Sequence, residues 1–178
     1  MTVRAFVREL ESVKTMSKDK QVQSFSIQEC YPDRFQHCWG CGPKNPAGLH
    51  LKSFPSLDGQ TCICSIRPDL VFTGGVPDKL FGGIIATVFD CHGTASAAYF
   101  ARCKAGLTLS LDQPIERFIT AHLSVDYLRP VPMGQTLTVT ANLEECHEAK
   151  VMLRMTLELE NQTCARAKMV AVKAKDNM

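Results

Sequence analysis

The sequence predicts an α+β domain in which one long buried helix is wrapped by a curved antiparallel sheet of about six strands. Two observations carry this. Residues 82–103, GGIIATVFDCHGTASAAYFARC, hold one acid and no Lys or Arg before Arg102, and a helix that is apolar nearly all round is buried on all sides. After residue 117 the hydrophobic period changes to two and stays there. Strands that follow one another with no helix between them form an antiparallel sheet with one buried face.

Taken in order, residues 1–30 read as an N-terminal extension and residues 31–178 as a single domain. Val3, Phe6, Val7 and Leu10 recur at helical spacing, which suits a short amphipathic helix over residues 1–14. Residues 15–47 are polar or rich in turn formers. Two short alternating runs follow, Leu49 to Phe54 and Thr61 to Arg67, separated by PSLDG, whose Asp58-Gly59 is a hairpin signal. The helix over residues 82–103 would be about 33 Å long. Four alternating runs then supply the long strands. Ile119, Ala121, Leu123, Val125 and Tyr127 make the first, and Leu137, Val139, Ala141 and Leu143 the second. Val151, Leu153, Met155, Leu157 and Leu159 make the third, and Ala165, Ala167, Met169 and Ala171 the fourth.

Composition narrows the function classes. Twenty Lys and Arg against 18 Asp and Glu leave a net charge of +2 in 178 residues, so no broad basic field recommends nucleic acid as a partner. With 45% hydrophobic and 21% charged residues the chain is globular in composition rather than disordered. The longest uncharged apolar stretch, Phe81 to Phe89, is far short of the ~20 residues that span a bilayer. Nine cysteines, with no secretory signal pattern in the first 20 residues, suit a reducing, cytoplasmic setting in which most thiols act as small hydrophobes.

Asp90 is the residue that needs a reason. Asp has poor helix propensity, and burying an unpaired carboxylate costs several kcal/mol unless hydrogen bonds satisfy it. A structural Asp bonded to a backbone amide is one reading, and a reactive carboxylate is the other. Gly82, Ala86, Asp90, Gly93 and Ala97 share one helical face, with Ile84, Ile85, Val88, His92 and Tyr99 opposite. That stripe of small residues leaves room beside the acid for a thin ligand or a second helix. His92, two residues on, projects about 200° away and reads as a core or sheet-facing histidine. His122 is expected to share a strand face with Thr120, Ser124 and Asp126.

Gly82 and Gly83 open the helix, so their amides lack intrahelical acceptors and could stabilise an oxyanion. Eight residues separate Gly82 from Asp90, a rise of about 12 Å. One reacting carbonyl can meet both only if they come from two subunits, as in a two-fold dimer.

Cys38-x-x-Cys41 has further readings. Gly42, Pro43 and Pro46 forbid the helix that a thioredoxin-type motif opens. A zinc site would have to recruit His37 and His50, at a spacing unlike that of a standard finger. The expectation is a packed loop and no metal. Cys62 and Cys64 alternate on one strand face and are expected to pack.

Three blocks, in this order, resemble hotdog-fold acyl-CoA thioesterases of the PaaI-like branch. Residues 38–49, CWGCGPKNPAGL, are similar to that branch's CxGCGxxNPxGL. Residues 82–90, GGIIATVFD, are similar to its HGGxxATxxD helix start, and residues 120–130, TAHLSVDYLRP, to its TAxLxVxYLRP strand. The resemblance spans roughly residues 38–172. It implies hydrolysis of an acyl thioester of coenzyme A, or of acyl carrier protein, with no metal or organic cofactor. By position, Asp90 would activate water or attack the thioester, the amide of Gly82 from a partner subunit would polarise the carbonyl, and Thr120 would help place the carboxylate or the water. Gly83 and His122 would line the substrate site. Arg129 would face the phosphates of coenzyme A, unless it is an ordinary surface arginine. A homodimer is implied, with pairing into tetramers left open.

One departure stands out. Phe81 occupies the position where the family usually has His, so Phe81 would line an acyl pocket while a polar group that holds the carbonyl is missing. Two other functions stay open: a binding domain that senses acyl thioesters without cleaving them, which Phe81 favours, and a hotdog hydratase or dehydratase acting on an enoyl thioester, for which the missing histidine leaves only His122 as a candidate.

Overall fold

The computed structural model describes residues 24–56 and 58–175. The helix expected over residues 1–14 lies outside the described residues.

The central element is α1, Gly82–Lys104. Phe81 precedes it without a side-chain cap, and Arg102 and Lys104 in its last turn complement the negative end of the dipole. The helix stops at Gly106, whose φ of 75° suits glycine. The Leu107 amide donates to Arg102 O at 3.1 Å and the Gly106 amide to Cys103 O at 2.9 Å, which satisfies two end carbonyls.

Six antiparallel strands wrap this helix in the order β1-β2-β4-β5-β6-β3. They are β1 Ser53–Pro55, β2 Thr61–Ile66, β3 Phe118–Tyr127, β4 Leu137–Cys146, β5 Lys150–Leu159 and β6 Gln162–Lys173. The four long strands fall where the period-two runs predict them. β5 and β6 join through Glu160-Asn161, both at positive φ (49° and 65°), as a tight two-residue hairpin requires. Val151, Leu153, Met155 and Leu157 of β5, with Ala165, Ala167, Met169 and Ala171 of β6, are buried on the face toward α1.

The first strand differs from expectation. Only Ser53–Pro55 pairs with β2, because residues 49–51 bond back to the cysteine loop instead, Leu49 N to Trp39 O and Leu51 N to Gly40 O. Pro55 lacks an amide hydrogen, and the sheet edge is where a strand tolerates that.

Two short 3-10 turns, η1 Ile27–Cys30 and η2 Asp33–Phe35, precede the sheet. Ser26, Ile27, Gln28 and Cys30 are buried, Ile27 and Cys30 as part of the apolar core. The irregular stretch after α1 is pinned by buried Arg102, which donates to Thr108 O, Pro114 O and Gln113 Oε1. The Ile115 amide, donating to Cys30 O, ties that stretch to η1.

Candidate active site

Asp90 is half-buried on α1. Its Oδ1 accepts a hydrogen bond from Thr120 Oγ1 on β3 at 2.5 Å. Among the described residues no backbone amide bonds this carboxylate, so a hydroxyl orients it and leaves its second oxygen for another partner. Gly82, Gly83, Ala86, Thr87 and Asp90 are all half-buried, whereas every residue from Cys91 to Phe100 is buried. The open strip of the helix is therefore its first half, ending at Asp90.

The small-residue stripe divides accordingly. Gly82 and Ala86 lie in the open half, but Gly93 and Ala97 lie under the sheet. A Cβ on Gly93 would stand 2.5 Å from Met169 Sδ and 3.0 Å from Met155 Cε. The lower half of the stripe is thus filled by methionines of β5 and β6, which leaves no space there for a ligand.

Thr120 faces Asp90 because of a bulge. β3 and β6 pair Thr120 with Ala171 and His122 with Val170, so Ala121 has no opposite number. An extra residue reverses the alternation beyond it. Thr120, Leu123, Val125 and Tyr127 consequently lie on the helix side, opposite Ala171, Met169, Ala167 and Ala165. His122, Ser124 and Asp126 lie on the outer face. The expectation that His122 shares a face with Thr120 is corrected by this bulge, and within one chain His122 and Asp90 are on opposite sides of the sheet. Nothing in the residue pattern marks the bulge.

The start of α1 is held by Tyr127, whose hydroxyl donates to Gly82 O at 3.0 Å. A Cβ on Gly82 would sit 3.3 Å from the Tyr127 ring, and one on Gly83 would sit 2.3 Å from Phe81 Cε1. Phe81 is 54% exposed, so its ring lies across Gly83 at the mouth of the open strip. Arg129 is exposed at the far end of β3, its guanidinium donating to Thr163 O at 3.0 Å. A groove there is lined by Arg129, Arg166 and Gln162.

His92 takes the opposite course from Asp90 and is fully buried. Its Nε2 is 3.2 Å from Cys62 O and its Nδ1 2.9 Å from Ser53 Oγ. A carbonyl only accepts, so Nε2 carries the proton and Ser53 donates to Nδ1. Ser53 Oγ also accepts from Gln28 Nε2 at 3.0 Å, and Gln28 Oε1 accepts from the Ser53 amide at 2.8 Å. Burial lowers the His92 pKa to about 4, because a charged imidazolium would lose its hydration. This is the core histidine the helical spacing predicts.

The cysteine loop packs against the same helix. Cys38, Cys41 and Cys91 place their sulfurs within 4.8 Å of one another, and neither His37 nor His50 joins them. Cys62 and Cys64 are buried in β2, as expected of packing residues.

Comparison with known proteins agrees with this architecture. Residues 79–165 match the family model described as the thioesterase superfamily. A thioesterase superfamily protein from Shewanella loihica is 34% identical, over 80% of this chain and 98% of that one, with a TM-score of 0.59. The PaaI protein from the phenylacetic acid degradation operon of E. coli is 16% identical, over 71% of this chain and 81% of its own, with a TM-score of 0.56. A Streptococcus mutans protein bound to acetyl CoA is 15% identical, over 65% and 82%, with a TM-score of 0.53. The latter two likenesses are of fold alone. No curated protein matches significantly. The chain belongs to the thioesterase superfamily and has the hotdog fold. Family and likeness together point to thioester hydrolysis. Among the described residues no helix is long and apolar enough to cross a membrane.

Proposed function

We propose that the protein hydrolyses acyl-CoA thioesters, with the carboxylate of Asp90 as the group that activates water or attacks the thioester carbonyl. The observation that carries this reading is the Asp90–Thr120 hydrogen bond at the end of an open helical strip. Thr120 holds one carboxylate oxygen, and the other is left to take a proton from water or to add to the carbonyl carbon. The amide of Gly82 from a second copy would stabilise the oxyanion, since the rise of about 12 Å along α1 separates the two groups within one copy.

Two features support a second copy. β3 is a sheet edge of ten residues, and an uncovered edge of that length invites pairing with another chain. Phe81, Tyr127 and Leu128 also expose large apolar surface beside the open strip. Coenzyme A as the carrier is supported by the acetyl CoA found with the Streptococcus mutans neighbour, and Arg129 is the candidate for its phosphates. Phe81 would line the acyl site, across Gly83 from the donor amide.

The test is thiol release from a series of acyl-CoA thioesters of increasing chain length. Asp90→Asn should lower kcat by about 10² or more, the usual scale for a general base. Full activity in that variant would end the proposal. Loss of the conjugated double bond of crotonyl-CoA without thiol release would favour a hydratase instead.

A further inference from the structure

The C-x-x-C loop and the central helix bring together three thiols that neither element assembles alone. Cys38 and Cys41 come from the turn after η2, and Cys91 from α1, one residue past Asp90. Cys38 Sγ and Cys91 Sγ are 3.7 Å apart, and all three sulfurs lie within 4.8 Å of one another. A disulfide needs sulfurs about 2 Å apart. Thiolates around a tetrahedral ion, with metal–sulfur bonds of about 2.3 Å, lie about 3.8 Å from one another. The short edge of the cluster has the second spacing.

The surrounding backbone is shaped to hold the sulfurs there. A Cβ on Gly40 would stand 2.3 Å from Cys91 Sγ, so glycine lets the loop lie directly on that thiol. Gly42 closes the turn: its amide donates to Cys38 O at 2.7 Å, and a Cβ there would be 2.5 Å from both Cys38 N and Gln36 O. The bonds from Leu49 and Leu51 to Trp39 and Gly40 clamp the loop from its other side.

We propose that Cys38, Cys41 and Cys91 form a binding site for one soft divalent cation of the zinc class, with a fourth coordination position filled by water. Cys38 is the partly exposed member and marks the side of entry. Thiolate donors select zinc over magnesium or calcium. Binding releases the thiol protons to solvent and transfers no electrons, so no oxidant is needed. The ion fastens residues 38–51 to the helix one residue from the candidate catalytic carboxylate. Sequence reading expects no metal because it looks to His37 and His50, and the third ligand lies 50 residues beyond Cys41.

The experiment is titration of the full, reduced, chelator-free chain with cobalt(II), followed by the thiolate-to-cobalt charge-transfer absorption. One cobalt should bind per chain and be displaced by zinc. Cys91→Ser should weaken cobalt binding by about a hundredfold or more, and Cys38→Ser, in the less buried loop position, should do the same. Cys103→Ser, exposed and outside the cluster, should leave binding unchanged. A folded wild-type chain with no charge-transfer band overturns the proposal, as does a band that survives in both Cys38→Ser and Cys91→Ser.

Discussion

Asp90 and His92 stand two residues apart on one helix and meet opposite surroundings. The histidine is sealed, with both ring nitrogens bonded to β1 and β2, and burial keeps it neutral. The carboxylate is half-buried, bonded through one oxygen to a hydroxyl, and faces the open strip of α1. Cys91, between them, points to a third environment, the thiols of the loop. A step of about 100° per residue makes this possible, because three neighbouring positions reach three different faces. A polar group with every partner supplied reads as structure, and one with capacity to spare reads as chemistry.

The largest expected effect lies on the open side. Asp90→Asn should cost at least 2.7 kcal/mol of transition-state stabilisation, about a hundredfold, while leaving the thermal midpoint close to wild type. The sealed side should reverse that pattern. His92→Leu strands the Ser53 hydroxyl and the Cys62 carbonyl in the core, and denaturant titration should show a loss of about 2 kcal/mol with kcat nearly unchanged. A His92→Leu variant of full stability but low kcat would break the contrast. Smaller again, Thr120→Val should lower kcat about tenfold by freeing the carboxylate, without altering KM to the same degree.

Acid should find the sealed side first. His92 takes up its proton near pH 4 in the folded state, against an ordinary value of 6.5. Between those values the unfolded chain holds more protons, so stability falls as pH falls from 6.5 toward 4, by up to about 1.4 kcal/mol per unit. Denaturation midpoints measured across that window should show the slope in wild type and lose its His92 share in His92→Leu.

The same contrast explains what could be read from the sequence. The extent of α1 was legible because a 22-residue run whose only charges are Asp90 and Arg102 has few alternatives, and β5 and β6 were legible because their alternation is unbroken. The Asp90 face was half legible. Helical spacing groups Gly82, Ala86, Gly93 and Ala97, but only the approach of Met155 and Met169 shows that the last two are covered. The position of His122 was not legible, because one unpaired residue, Ala121, turns it to the outer face. Long-range closure also hid the third thiol and the β1 register, both set where the cysteine loop lands on α1.

The central claim is that one copy's Asp90 and another copy's Gly82 amide serve the same carbonyl. It is tested by mixing two inactive variants, Asp90→Asn and Gly82→Pro, the latter deleting the amide hydrogen at a helix position that accepts proline. Random reassembly of a shared site restores one intact site per mixed dimer, about a quarter of wild-type activity. Activity no higher in the mixture than in either variant alone, with subunit exchange demonstrated, would contradict the account.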